Sequence, residues 1–241
     1  MSAIEIQGLF KSLGGRPVLR GVDLPVERGE ILVIIGRSGC GKTVLLKHMI
    51  GLMKPDGGRV LVDGVELGLL SERELDRTRL KFGMLFQEAA LFDSLTVFEN
   101  VGFALLEHTK MSRESIRARV KECLALVGLD DVEDLYPEAL SGGMKKRVGL
   151  ARAVAMSPEI ILYDEPTSGV DPLMGGEINL LIQKLRDQLN VTSLVVTHDL
   201  ESALKIGDRI ALLEGGRIVA LGTPAEFQAM NDPVVREFFR S

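Results

Sequence analysis

The sequence predicts an α/β protein, with an antiparallel β segment in its N-terminal part and an α-helical segment inserted into the core. Three observations carry this. Short apolar runs, "ILVII" at 31–35 and those within "EIILYDEP" at 159–166 and "TSLVVTHD" at 192–199, have the composition of strands covered on both faces. "GGRVLVDG" at 57–64 lies between turn glycines and reads as an antiparallel strand. Between these groups "SRESIRARVKECLALVGL" at 112–129 has helical spacing, with Ile116, Val120, Cys123, Leu124 and Val127 on one face and charges opposite.

The remaining elements follow in order. "VLLKHMIGLM" (44–53) has helical spacing and is the next element after the first apolar run. "KFGMLFQ" (81–87) is a short strand ending in a polar residue. Ser112 is suited to cap the 112–129 helix, and Gly128 to stop it. A helical pattern at 173–189 separates the second and third apolar runs, and the 208–224 segment is a two-strand pattern around Gly215 and Gly216. The order is β-rich, then βα, then all-helical, then βαβ. A single domain over 1–241 accounts for it, with a core lobe from 1–87 and 159–241 and a helical subdomain at 88–158.

Bulk properties narrow the function. A chain of 241 residues, 46% hydrophobic and with 26 glycines, buries a sizeable core with many tight turns. The net charge of −5 argues against a nucleic-acid partner. The basic cluster Lys145, Lys146, Arg147 and Arg152 is therefore expected to be a solvated helix face with ion pairs. Cys40 and Cys123 are far apart and form no zinc or disulfide pattern, which fits a reducing compartment. "MSAIEIQGLF" lacks the design of a signal peptide, and no apolar run approaches the ~20 residues that span a bilayer. The chain is expected to be soluble by itself, with any membrane role supplied by a partner.

The chemistry is concentrated in a few segments. "GRSGCGKT" (36–43) matches the phosphate-binding loop G-x-x-x-x-G-K-[ST]. A strand before it and a helix after it distinguish it from an ordinary glycine turn. Its backbone over Gly36, Arg37, Ser38, Gly39, Cys40, Gly41, Lys42, Thr43 and Val44 would turn N–H groups toward a phosphate at a helix N-terminus. Lys42 would reach the β- and γ-phosphates, and the Thr43 hydroxyl would coordinate Mg²⁺. Asp164 and Glu165 end the second apolar run. Asp164 is suited to hold Mg²⁺, directly or through water, and Glu165 to polarise the attacking water. His198 ends the third run and could contact the γ-phosphate, although a lone strand-end histidine is more often structural. The set describes an ATP–Mg²⁺ site.

The order of these motifs resembles the nucleotide-binding subunit of an ABC transporter. It runs from the phosphate loop through Gln87, "LSGGM" (140–144), "DE" (164–165) and "SGVD" (168–171) to His198, and so covers nearly the whole chain. The resemblance implies a P-loop, RecA-like core and a head-to-tail homodimer. Ser141, Gly142 and Gly143 would cap the γ-phosphate of ATP held by the other subunit. Gln87 would contact Mg²⁺ or the attacking water, and Asp171 would lie near the opposite phosphate loop. Two positions depart from the family. Leu13 stands where an adenine-stacking aromatic is usual, with Phe10 nearby, and Met144 replaces the usual glutamine.

"MLFQEAALFDSLTVFENVGFALLEHT" (84–109) and "LSGGMKKRVGLARA" (140–153) are similar to the ATPases of Mla/Mce-type lipid transporters. That resemblance implies phospholipid transport through membrane permease subunits, at the cytoplasmic face of the cell membrane. It also implies a possible membrane-anchored lipid-binding subunit and a small regulatory subunit. Leu91, Phe92, Leu95, Val97, Phe98 and Val101 would line the groove that grips the permease, or pack internally. Phe238 and Phe239 would pack on the core or on a neighbour. An importer for an amino acid or metal is the alternative, and a soluble ABC protein outside transport a more distant one.

Overall fold

A computed structural model describes residues 2–238. Phe239, expected to pack on the core or on a neighbour, lies outside the described residues; Phe238 is buried. The chain opens with β1 (Ser2–Leu13), β2 (Arg16–Glu27), β3 (Ile31–Ile35), α1 (Lys42–Met49), β4 (Gly57–Val62), β5 (Val65–Glu66) and α2 (Glu72–Arg79). It continues with β6 (Phe82–Leu85), α3 (Val97–His108), α4 (Arg113–Leu126), α5 (Gly142–Val154), β7 (Ile160–Asp164) and α6 (Pro172–Leu189). It ends with β8 (Thr192–Thr197), α7 (Leu200–Ile206), β9 (Arg209–Glu214), β10 (Arg217–Gly222), α8 (Pro224–Ala229) and α9 (Pro233–Phe238). Two compact units result: Met1–Arg79 with Thr192–Ser241, and Leu80–Val191.

The first unit contains two sheets. One is antiparallel in the order β2-β1-β4-β5. Its long β1–β2 hairpin turns at Gly14 and Gly15, both with positive φ. The other joins β3 to β8 and β9 in parallel, with β10 added antiparallel beyond β9. All five residues of β3 are buried, as its unbroken apolar run requires when strands flank it on both edges. Ile35 is in register with Thr197 and with Leu212, so the loops leaving β3 and β8 emerge at the same end of the sheet. That end, the C-terminal edge of parallel strands, is where α/β sheets bind ligands.

In the second unit β6 pairs in parallel with β7, and α5 packs on β6, α3 and α4. The approach of α5 to β6 is close. A Cβ at Gly83 would lie 2.1 Å from the Ala153 carbonyl oxygen, and one at Gly149 would lie 2.7 Å from Leu85. The expected face of α4 is buried throughout, Ser112 accepts the Ser115 N–H as its cap, and Gly128 follows with φ +71°.

The apolar segment after Gln87 divides. Val97, Phe98 and Val101 are core residues on α3, so three of the six residues expected to line a groove face inward. The segment is helical because Thr96 and Glu99 form a reciprocal capping box. Phe92 remains exposed, and its ring lies 5.1 Å from that of Phe103, which is also exposed.

Candidate nucleotide-binding site

The phosphate loop leaves the end of β3 and enters α1. Gly36 has no room for a side chain, since a Cβ there would lie 2.5 Å from the Leu213 carbonyl oxygen and 2.7 Å from Cys40 Sγ. Gly39 (φ +80°) and Gly41 (φ +111°) take backbone conformations that L side chains rarely adopt. The Cys40 N–H donates to the Arg37 carbonyl at 3.2 Å, closing the turn. Gly41 caps α1 with no side-chain hydrogen bond, and no acidic residue occupies the first turn. The amino end of α1 therefore keeps the donors and positive potential that an anion needs. Lys42 is buried at 7% exposure, and its Nζ donates to the Gly36 carbonyl at 2.8 Å. Thr43 is exposed, Val44 half-buried, and Arg37 and Ser38 lie on the surface.

His198 follows β8 and is exposed. The next residue, Asp199, caps α7 by accepting the Ser202 N–H at 3.1 Å, so the chain turns sharply at the histidine. Leu13 and Phe10 on β1 are both exposed, as an adenine contact at either would require.

The second unit carries the acidic pair. Asp164 is the last residue of β7 and is 6% exposed. Glu165 leaves the strand with φ +48°, a left-handed backbone that a non-glycine residue adopts only at a cost. Gln87 follows β6 and is exposed. Lys146 connects Gln87 and Glu165. Its ammonium group donates to the Gln87 carbonyl oxygen and, at 3.4 Å, to the Glu165 carbonyl oxygen.

Ser141 caps α5: its Oγ accepts the Met144 N–H at 3.3 Å. Gly142 is open to solvent. A Cβ at Gly143 would meet the Met174 side chain at 2.7 Å, so this glycine allows α5 to lie against α6. Asp171 is exposed and caps α6 by accepting the Met174 N–H at 3.0 Å.

The basic cluster differs from expectation. Lys146 is buried, Arg147 donates to the Val127 carbonyl and the Glu177 carboxylate, and Arg152 donates to the carbonyls of Ala89 and Ala90. Only Lys145 lacks a fixed role of this kind. The helix is enclosed by α3, α4 and β6, so most of these cations serve carbonyls of neighbouring loops. The sequence held a signal for Lys146. It falls on the same stripe as Gly143, Leu150 and Ala153, at spacings of three and four. Asn100 was also missed. It is fully buried and its amide donates to the carbonyls of Phe92, Leu95 and Thr96 while accepting the Phe92 N–H.

A glycine loop running into a helix with no side-chain cap, with a buried lysine folded over it, defines a phosphate-loop nucleotide-binding protein. A family model described as ABC transporter matches residues 19–168. The chain belongs to the ABC transporter family, of which it is an ATP-binding and ATP-hydrolysing part.

Three relatives and one solved structure illustrate the likeness. The probable ribonucleotide transport ATP-binding protein mkl of Mycobacterium leprae is 42% identical over 98% of this chain and 68% of its own length. The intermembrane phospholipid transport system ATP-binding protein MlaF of Haemophilus influenzae is 41% identical over 98% of this chain and 90% of its own. The methionine import ATP-binding protein MetN of Carboxydothermus hydrogenoformans is 44% identical over 98% and 71%. The ATP-binding cassette MJ0796, solved as a dimer with ADP and Pi in a post-hydrolysis state, superposes with a TM-score of 0.84. It is 35% identical over 92% of this chain and 98% of that one.

Proposed function

We propose that this chain powers phospholipid transport, hydrolysing ATP as a head-to-tail dimer attached to membrane permease subunits. The observation that carries the lipid reading is the correspondence with MlaF over nearly the full length of both chains. Methionine import is the second reading, favoured by the identity with MetN. No helix among the described residues is long and apolar enough to cross a membrane. Attachment to the cytoplasmic face of the cell membrane would therefore run through the permease. A membrane-anchored lipid-binding subunit and a small regulatory subunit are further partners in this reading. Residues 88–158 would form the helical subdomain of a single nucleotide-binding domain, and nucleic acid has no part in it.

Within the site, we assign the ATP phosphates to the backbone of 36–44 and to the Lys42 ammonium. Among the described residues no group of three or more His, Cys, Asp or Glu side chains could hold a metal alone. A magnesium–nucleotide site has that character, because phosphate oxygens and water supply most ligands. The hard oxygen donors of Thr43, Asp164 and Gln87 suit Mg²⁺, which would neutralise charge on the β- and γ-phosphates. Glu165 would orient or deprotonate the attacking water, and His198 would contact the γ-phosphate. Ser141, Gly142 and Gly143 would complete the partner subunit's site, with Asp171 beside it. One subunit alone then supplies only part of the charge stabilisation, and hydrolysis requires the dimer.

Purification of the tagged chain from gently solubilised host membranes tests the transport reading. A permease with a membrane-anchored lipid-binding protein, and bound phospholipid, is the expected result. A solute-binding protein with a different permease would transfer the ATPase to an importer.

A further inference from the structure

Lys146 lies in the interior of α5 at 5% exposure, on a stripe otherwise made of Gly143, Leu150 and Ala153. A buried ammonium is costly, and an apolar side chain would fit this stripe without that cost. Its hydrogen bonds go to two main-chain carbonyls, those of Gln87 and Glu165. Both belong to backbone that needs holding. Glu165 has φ +48°, and Gln87 leads into Ala89 and Ala90 at φ +59° and +45°. Arg152, on the same helix, takes the carbonyls of those two alanines. Two cations of α5 thus hold the loop after β6, and one of them also holds the turn after β7. Burial lowers the Lys146 pKa, while the nearby carboxylates of Glu165, Asp164 and Glu88 favour its charged form.

We propose that Lys146 is a positioning residue for ATP hydrolysis, its ammonium fixing the Gln87 and Glu165 backbones relative to each other and to the Ser141–Gly143 end of α5. This rests on the assignment of Gln87 and Glu165 to hydrolysis. The carbonyls it binds lie one Cα away from the side chains that would meet water and metal. Releasing them lets the strained turns relax and moves those side chains by a distance on the scale that governs reactivity.

The test uses the full chain purified with its membrane subunits, measuring kcat, KM for ATP and Tm for Lys146→Met, Lys146→Arg and Glu165→Gln. The expected result is a loss in kcat on the order of 10²-fold for Lys146→Met with KM for ATP unchanged. Lys146→Arg, which keeps charge and donors, should restore turnover to within a few-fold. Wild-type turnover by a folded Lys146→Met protein would overturn the proposal, while loss of turnover in Glu165→Gln would leave the assignment of Glu165 standing. Retained turnover in Glu165→Gln would remove that assignment and the proposal with it. If Lys146→Met does not fold, Lys146→Leu, which also lacks a donor, replaces it under the same criteria.

Discussion

The ammonium group of Lys42 donates to the carbonyl oxygen of Gly36, 2.8 Å away, at the opposite end of the phosphate loop. The contact folds the lysine back over the loop that its helix follows. A phosphate arriving at the α1 N-terminus meets a cation already desolvated and oriented, and binding exchanges one oxygen partner for another. Lys42→Ala should weaken ATP binding by about 1.5–3 kcal/mol, roughly ten- to a hundredfold. Calorimetric titration of the purified chain measures this, and an unchanged affinity would remove Lys42 from the site.

Ser141 has two roles to separate. Its hydroxyl caps α5, and loss of the cap costs about 1 kcal/mol. In the dimer it would also face the partner's ATP. Ser141→Arg should abolish turnover while leaving the ATP affinity of the monomer within about twofold, since the affected phosphate belongs to the other subunit. A large fall in monomer affinity would contradict the assignment across the dimer.

Asn100 is fully buried and holds the loop before α3 through four hydrogen bonds. Asn100→Ala leaves three carbonyls and one N–H without this partner, a cost of about 3 kcal/mol. Calorimetry should show Tm lowered by roughly 6–12 °C. A change of less than a degree would mean that the loop finds other partners.

The two thiols should react differently. Cys123 is buried, and desolvation pushes its pKa from 9.0 to about 11. Cys40 is half-buried, and burial also raises its pKa, with Lys42 opposing. Raised pKa values mean less thiolate at neutral pH, so alkylation should be slow and accelerate as pH rises. Mass spectrometry of the native protein treated with maleimide at pH 8 should find Cys40 modified first, and ATP should protect it. Preferential labelling of Cys123 would show that α4 opens readily.

What the sequence made readable was what local chain order determines. The phosphate loop, the acidic pair at the end of β7, the caps at Ser112 and Gly128 and the buried runs of β3, β7 and β8 each follow from a few adjacent residues. What escaped depends on contacts distant in sequence. Lys146 and Arg152 read as surface cations because the charge run outweighs the one local hint, the stripe that Lys146 shares with Gly143, Leu150 and Ala153, and the enclosure by α3, α4 and β6 comes from distant segments. For Val97, Phe98 and Val101 the sequence left groove and internal packing both open, because an apolar run does not say which side faces the core, and the structure buries all three. Asn100 holds carbonyls up to eight residues back, a role that its residue type alone does not announce.

Reconstituted transport tests the proposed function most directly. The chain with its membrane subunits would be placed in vesicles, and transfer of a fluorescent phospholipid followed with and without ATP. The predicted result is ATP-dependent transfer that Glu165→Gln abolishes while ATP still binds. ATP hydrolysis indifferent to phospholipid, with ATP-driven uptake of methionine instead, would contradict the lipid reading.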